Sequence, residues 1–122
     1  MTRPPKISIV TVCYNHEPYI EETIKSVLSQ KSANVEYIVI DDGSTDQTMA
    51  EIEKYPVTIL HHRRNLGKAG ALNHGLIHSR GEIIVCCDAD TLLEPDSISH
   101  LVSGFADETV VAVAGQVRLD RL

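Results

Sequence analysis

Two acidic pairs each come straight after a run of apolar residues. Asp41-Asp42 follows EYIVI at 36–40, and Asp88-Ala89-Asp90 follows the run at 82–87. Two carboxylates either side of one small residue repel each other and need a cation, and oxygen ligands suit magnesium or manganese. Tyr14 and Asn15 close a third apolar run, ISIVTVC at 7–13. A fourth run delivers His61, His62, Arg63 and Arg64, then Asn65-Leu66-Gly67-Lys68. Gly67 and Lys68 at a helix start make an anion site. Each piece also has a plainer reading. Asp41 and Asp42 are equally suited to a turn, since Asp-Gly-Ser is ordinary turn chemistry, and D-x-D alone is a short pattern. The turn reading leaves unexplained why a second acidic pair stands at a neighbouring strand end.

Other motifs fail on particular residues. Gly67-Lys68 is not a Walker loop, because position 62 is His and Ala69 replaces the required Ser or Thr. Gly67-Lys68-Ala69-Gly70 does not match G-x-G-x-x-G, and Gly43 comes too early for an EF-hand loop. His74 and His78 have i, i+4 spacing, but they lie opposite Leu72 and Leu76 and lack a third ligand, which favours a solvated face. His61 and His62 point to opposite sides of a strand and receive no role.

Positioning these residues requires alternating strands and helices. The run at 7–13 reads as a buried strand. A helix is expected over 17–30, with Pro18 in its first turn, Glu17, Glu21 and Glu22 at the positive end of its dipole, and Ile20, Ile24, Val27 and Leu28 on one stripe. A second strand spans 36–40. Ser44-Thr45-Asp46-Gln47 fits a capping box opening a short helix to about residue 54. A third strand at 57–61 leads to a helix over 68–79, stopped by Gly81. A strand at 82–87 follows, then a helix from Pro95 with Ile98, Leu101, Val102 and Phe105 inward, and a last apolar strand at 110–114. Strand-helix-strand repeated in this way implies right-handed crossovers and a doubly wound α/β fold, with a mostly parallel sheet covered on both faces. Ligands in such sheets bind outside the carboxyl ends of the strands, where strand order reverses. All the residues singled out above fall there.

Composition narrows the classes. The 122 residues make one ordinary domain, residues 1–122, with no linker or internal repeat. Hydrophobic residues at 43% and charged residues at 23% describe a globular chain. Seventeen acidic against eleven basic side chains give a net charge of −6, which argues against a nucleic-acid binder. No apolar run approaches the ~20 residues of a membrane span, and the first residues lack an apolar signal region. Cys13, Cys86 and Cys87 are an odd set without C-x-x-C spacing. They read as small core residues of a reducing, cytoplasmic compartment.

In order and spacing, these stretches resemble the family 2 glycosyltransferases, which have the GT-A fold. The resemblance runs almost end to end: IVTVCYN at 9–15, IKSVLSQ at 24–30, VIDDGSTD at 39–46, NLGKAGALN at 65–73, GEIIV at 81–85 and DADT at 88–91. The stretch 67–73 with DADT looks most like the processive polysaccharide synthases, such as cellulose, chitin, hyaluronan and poly-N-acetylglucosamine synthases. The resemblance implies a UDP-sugar donor and a divalent cation, Mg2+ or Mn2+. Tyr14 is then expected to line the nucleobase pocket, Asp42 to accept from uracil, and Asp41 to support that loop. Lys68 is expected at the nucleotide or its diphosphate and Asp88 at the ribose or sugar, while Asp90, with Asp88, takes the metal. In the family an acceptor hydroxyl attacks the anomeric carbon with inversion.

Departures limit the carry-over. The family's acidic general base and the Q-x-x-R-W motif of its processive members have no counterpart in this chain, which has no Trp. The membrane helices of those members are also without a counterpart. The expectation is a donor-binding half that binds a nucleotide sugar and transfers it poorly, with no catalytic residue assigned and with the saccharide or lipid-linked acceptor held by a missing half. A partner chain supplying the base would restore transfer. A different class of reading is a self-associating or partner-binding module, pairing through an exposed strand edge at 110–114.

Overall fold

The β-branched run Ile7–Cys13 forms β1, the strand around which the molecule is arranged. In this computed structural model, residues 5–32 and 34–115 are described. After β1 come α1 (Ile20–Leu28), β2 (Val35–Asp42), α2 (Thr48–Ile52), β3 (Thr58–His62), α3 (Lys68–His78), β4 (Ile83–Cys86) and α4 (Ser97–Ser103), the last running into a 3-10 turn at Gly104–Ala106. The strands form one parallel sheet in the order β3-β2-β1-β4. The chain steps outward from β1 to β3, then returns across the sheet to place β4 on the other side of β1. The α/β, doubly wound reading of the sequence is what the structure has.

Both faces of the sheet are covered, which explains why the strands read as apolar runs without alternation. On one face Ile9, Cys13, Tyr37 and Val39 pack with Ile20, Ile24 and Val27 of α1, Ile52 of α2 and Ile98 of α4. On the other, Val10, Ile38 and Ile40 meet Ala71 of α3, with Leu72 alongside. The α3 helix reaches the sheet closely because of Gly75. A Cβ there would stand 2.7 Å from Ile40 Cδ1 and 2.9 Å from Val10 Cγ1. At the amino-terminal rim, Ser8 Oγ donates to Glu36, Gly81 N donates to Ser8 Oγ at 2.7 Å, and Arg80 N donates to Glu36 Oε2 at 2.6 Å.

Several element ends differ from the sequence expectation, each for a tertiary reason. The first helix starts at Ile20, not at Glu17. The Glu17 amide is drawn to Asp46 Oδ2 at 3.2 Å and its carboxylate accepts from Gln47 N at 2.9 Å, so residues 16–19 make a turn instead. The proposed capping box does not form. Ser44 Oγ is bonded to Asp41, and Asp46 Oδ1 accepts from Thr48 N at 2.9 Å, so α2 starts at Thr48. Phe105 lies in the 3-10 turn rather than on α4. Cys86 is exposed, although Cys13 and Cys87 are core residues as expected.

The last expected strand, at 110–114, is not one: among the described residues it pairs with no strand. It leaves the 3-10 turn through a bond from Val110 N to Asp107 O at 3.0 Å, and Val113 lies against Gly104. Val111 is 90% exposed. The strand edge invoked for self-association is therefore absent, although apolar exposure remains. Among the described residues no helix is long and apolar enough to cross a membrane.

Candidate active site

The site begins with how β1 ends. Asn15 takes the left-handed conformation, φ 53°, which Asn tolerates better than most residues. Turned in this way, its Oδ1 accepts from Thr45 N at 2.8 Å and Asp46 N at 3.3 Å, and its own amide donates to Ser44 Oγ at 2.9 Å. The loop after β1 is thus stitched to the loop after β2. Tyr14 N donates to His16 Nδ1 at 2.9 Å, and both residues face a cleft of about 400 Å³.

The two aspartates ending β2 serve different ends. Asp41 is fully buried; its Oδ1 accepts from Ser44, and its Oδ2 lies 3.4 Å from His61 Nε2. It shapes the loop and does not line the cleft. Asp42, 1% exposed, lines the cleft and is the hub of the rim. Its Oδ1 accepts from His62 Nδ1 at 2.9 Å and Leu66 N at 2.9 Å, and its Oδ2 accepts from Gly67 N at 3.1 Å. A carboxylate has about four lone-pair positions, so one on Oδ2 stays open. Gly43 lets the strands' loops meet: at φ 83° any Cβ would lie 2.7 Å from Arg64 C and Asn65 N. Gly67 has φ 87° and turns the chain into α3.

The Asp88-Ala89-Asp90 turn is pinned through its middle. Ala89 is buried, its carbonyl accepts from Thr23 Oγ1 of α1 at 2.9 Å, and Cys87 N donates to Val10 O at 3.0 Å. The small residue between the two acids is thereby explained, since it occupies the core while its neighbours stay outside. Asp88 pairs with Lys68 Nζ at 3.1 Å; both side chains are largely exposed. Asp90 makes no hydrogen bond or ion pair among the described residues. Burial pushes the nearby Cys87 thiol up to about 11, with Asp88 adding to the effect.

Of the six residues singled out from sequence, Tyr14, Asp42, Lys68, Asp88 and Asp90 line the one cleft, together with His16, Asn65, Val12 and Ala89. Asp41 stands behind it. Sequence reasoning missed His16, and it named Asn65 in the loop before α3 without giving it a role. The signal for both was position, one turn past a strand end. It also gave His62 no role and put His74 on a solvated face. In fact His62 is buried on Asp42, and its Nε2 lies 2.6 Å from His74 Nδ1.

The donor set suits a divalent cation in one particular way. Among the described residues no cluster of three or more His, Cys, Asp or Glu can enclose a metal. Two carboxylates at an open rim leave most coordination positions to a ligand's phosphates and water, as magnesium-type sites do.

The cleft lies at the carboxyl rim of a parallel, doubly wound sheet, where α/β proteins of this architecture bind their ligands. The sequence profile of Glycosyl transferase family 2 matches residues 8–121, and the chain belongs to that family. It is 36% identical over 108 residues to an uncharacterized glycosyltransferase of Haemophilus influenzae, covering 84% of this chain and 33% of the relative. It is 34% identical over 118 residues to the poly-beta-1,6-N-acetyl-D-glucosamine synthase of Staphylococcus aureus (strain COL), covering 93% of this chain and 29% of that protein. The chain therefore spans about a third of these relatives. Among solved structures, the mannosyltransferase PcManGT from Pyrobaculum calidifontis, in complex with GDP-Man and Mn2+, superposes with a TM-score of 0.84 at 34% identity, covering 89% of this chain and 34% of that one. S. aureus TarS in complex with UDP gives 0.75 at 30% identity, covering 84% and 32%. The chain has the GT-A fold of these enzymes.

Proposed function

We propose that this chain is the donor-binding part of a glycosyltransferase and holds a UDP-sugar with Mg2+ or Mn2+ in the cleft, for inverting transfer to an acceptor hydroxyl. One observation carries the reading: Tyr14, Asp42, Lys68, Asp88 and Asp90 come from the ends of β1 and β2, the start of α3 and the turn after β4, and line the same cleft. The nucleotides and manganese held by PcManGT and TarS support it.

Each residue has a part. Tyr14 lines the base, and the open lone pair of Asp42 accepts the ring N–H of uracil. Lys68 exchanges its exposed partner Asp88 for the diphosphate, an inexpensive trade because exposed ion pairs contribute little. Asp88 then turns to the ribose or sugar, and Asp90, with Asp88, takes the cation. A bound cation neutralises the charge that builds on the departing diphosphate. No residue of this chain is assigned as general base. A saccharide or lipid-linked acceptor and the group that deprotonates it belong to other parts of a full-length enzyme, so transfer by the chain alone is slow.

Calorimetric titration with UDP, with and without MnCl2, tests the proposal. Binding that needs manganese and is lost in Asp90→Ala is expected. Binding that is absent, or indifferent to both the metal and Asp90, overturns it.

A further inference from the structure

His62 and His74 are titratable groups that the proposed chemistry leaves unused, yet both are tied to the cleft. Asp42 joins three elements: it ends β2, accepts from His62 at the end of β3, and accepts from the Leu66 and Gly67 amides that lead into α3. His74 lies two turns along α3, and its ring lies edge to edge with that of His62, nearly in one plane, with centroids 4.9 Å apart and planes at 17°. His78 Nδ1 donates to the His74 carbonyl at 3.0 Å and holds that turn.

The direction of this chain of bonds follows from its acceptor. A carboxylate only accepts, so His62 carries its proton on Nδ1. A ring protonated on Nδ1 alone has a lone pair on Nε2, 2.6 Å from His74 Nδ1, which then donates to it. Partial burial, and then the neighbours His78 and His62, push the pKa of His74 down. The donors therefore run from His74 to His62 to Asp42. This ordering fills Asp42 Oδ1 and leaves a position on Oδ2, on a residue that lines the cleft.

We propose that His62, locked as its Nδ1–H tautomer by His74, is a positioning residue for nucleobase selection. It fixes the Asp42 carboxylate so that the site takes a base presenting a ring N–H beside a carbonyl, as uracil and guanine do. A base presenting a bare ring nitrogen there, as cytosine does, meets a lone pair against a lone pair. The inference rests on the donor-binding reading above.

The test is titration with UDP, GDP and CDP in MnCl2, using the unsubstituted chain, His62→Leu and His62→Asn. The expected result is a preference for UDP or GDP over CDP that falls about tenfold in His62→Leu, the weight of one charge-assisted hydrogen bond. His62→Asn, whose amide N–H replaces Nδ1–H, is expected to restore it. The UDP and GDP arms separate the two bases. Nitrogen-15 NMR of the rings is expected to show His62 as the Nδ1–H form. Should His62→Leu lose the fold by thermal melting, His74→Phe keeps an aromatic ring beside His62 without the donor and is expected to shift the preference the same way. An unchanged preference in the folded variants, or an Nε2–H tautomer at His62, overturns the relay. No binding of any nucleotide by the unsubstituted chain overturns the donor reading, and base selection by His62 with it.

Discussion

The Ala89 carbonyl shows how one residue sets the geometry of two others. Thr23 reaches it from α1, inside the core, and so fixes the turn that carries Asp88 and Asp90. Thr23→Val keeps the shape and removes the donor, leaving a buried carbonyl unpaired at a cost of about 1–3 kcal/mol. Chemical denaturation is expected to show that loss, and manganese-dependent UDP binding is expected to weaken with it. The acidic pairs were legible in the sequence because residue type and strand-end position sufficed. The division of labour between Asp41 and Asp42 was implied only by the family resemblance, and residue type and position do not carry it. Both follow the same strand, and only the approach of Leu66, Gly67 and His62 from distant parts of the chain makes Asp42 the hub. The same holds for His74: helical spacing alone placed it on the solvent side, whereas the end of β3 covers it.

At the scale of elements, the first four strands and all four helices could be read from apolar runs and periodicity, and their order fixed where the cleft lies. Element ends were read less well, because Glu17, Ser44 and Asp46 spend their hydrogen bonds across loops rather than on caps. The run at 110–114 has strand composition but no strand beside it among the described residues, and composition cannot supply a partner. Helix–sheet packing yields its own prediction at α3. Gly75 lets the helix lie against Ile40 and Val10, and Gly75→Val places its Cβ inside their contact distance. A destabilisation of about 1–3 kcal/mol is expected from overpacking, with a lower Tm as the measure. UDP binding is expected to weaken too, since α3 begins at Gly67 and Lys68.

For the whole molecule, the titratable groups shifted by their surroundings set the pH range of stability. His74 is held below its usual 6.5, first by burial, so the unfolded chain takes up protons before the folded one as pH falls. Its contribution is present above pH 6.5 and is lost on acidification. Glu36 behaves likewise below its usual 4.5: burial opposes the shift, but bonds from Ser8 and the Arg80 amide outweigh it. Cys13, Cys87 and Tyr37 are pushed up by burial, so their contributions are full below pH 9.0 and fade as pH rises through the folded values. Unfolding free energy measured by denaturant is expected to be flat between about pH 6.5 and 9.0 and to fall on both sides.

The loop before α3 carries a further consequence. Leu66 exposes 56% of its surface, yet its amide is bound to a carboxylate that is 1% exposed. The Gly67 amide is held by the same group. This stretch is open in its side chains and closed in its backbone. The side chain at position 66 is therefore free to drift in evolution, or to be randomised in the laboratory, while the rim keeps its shape.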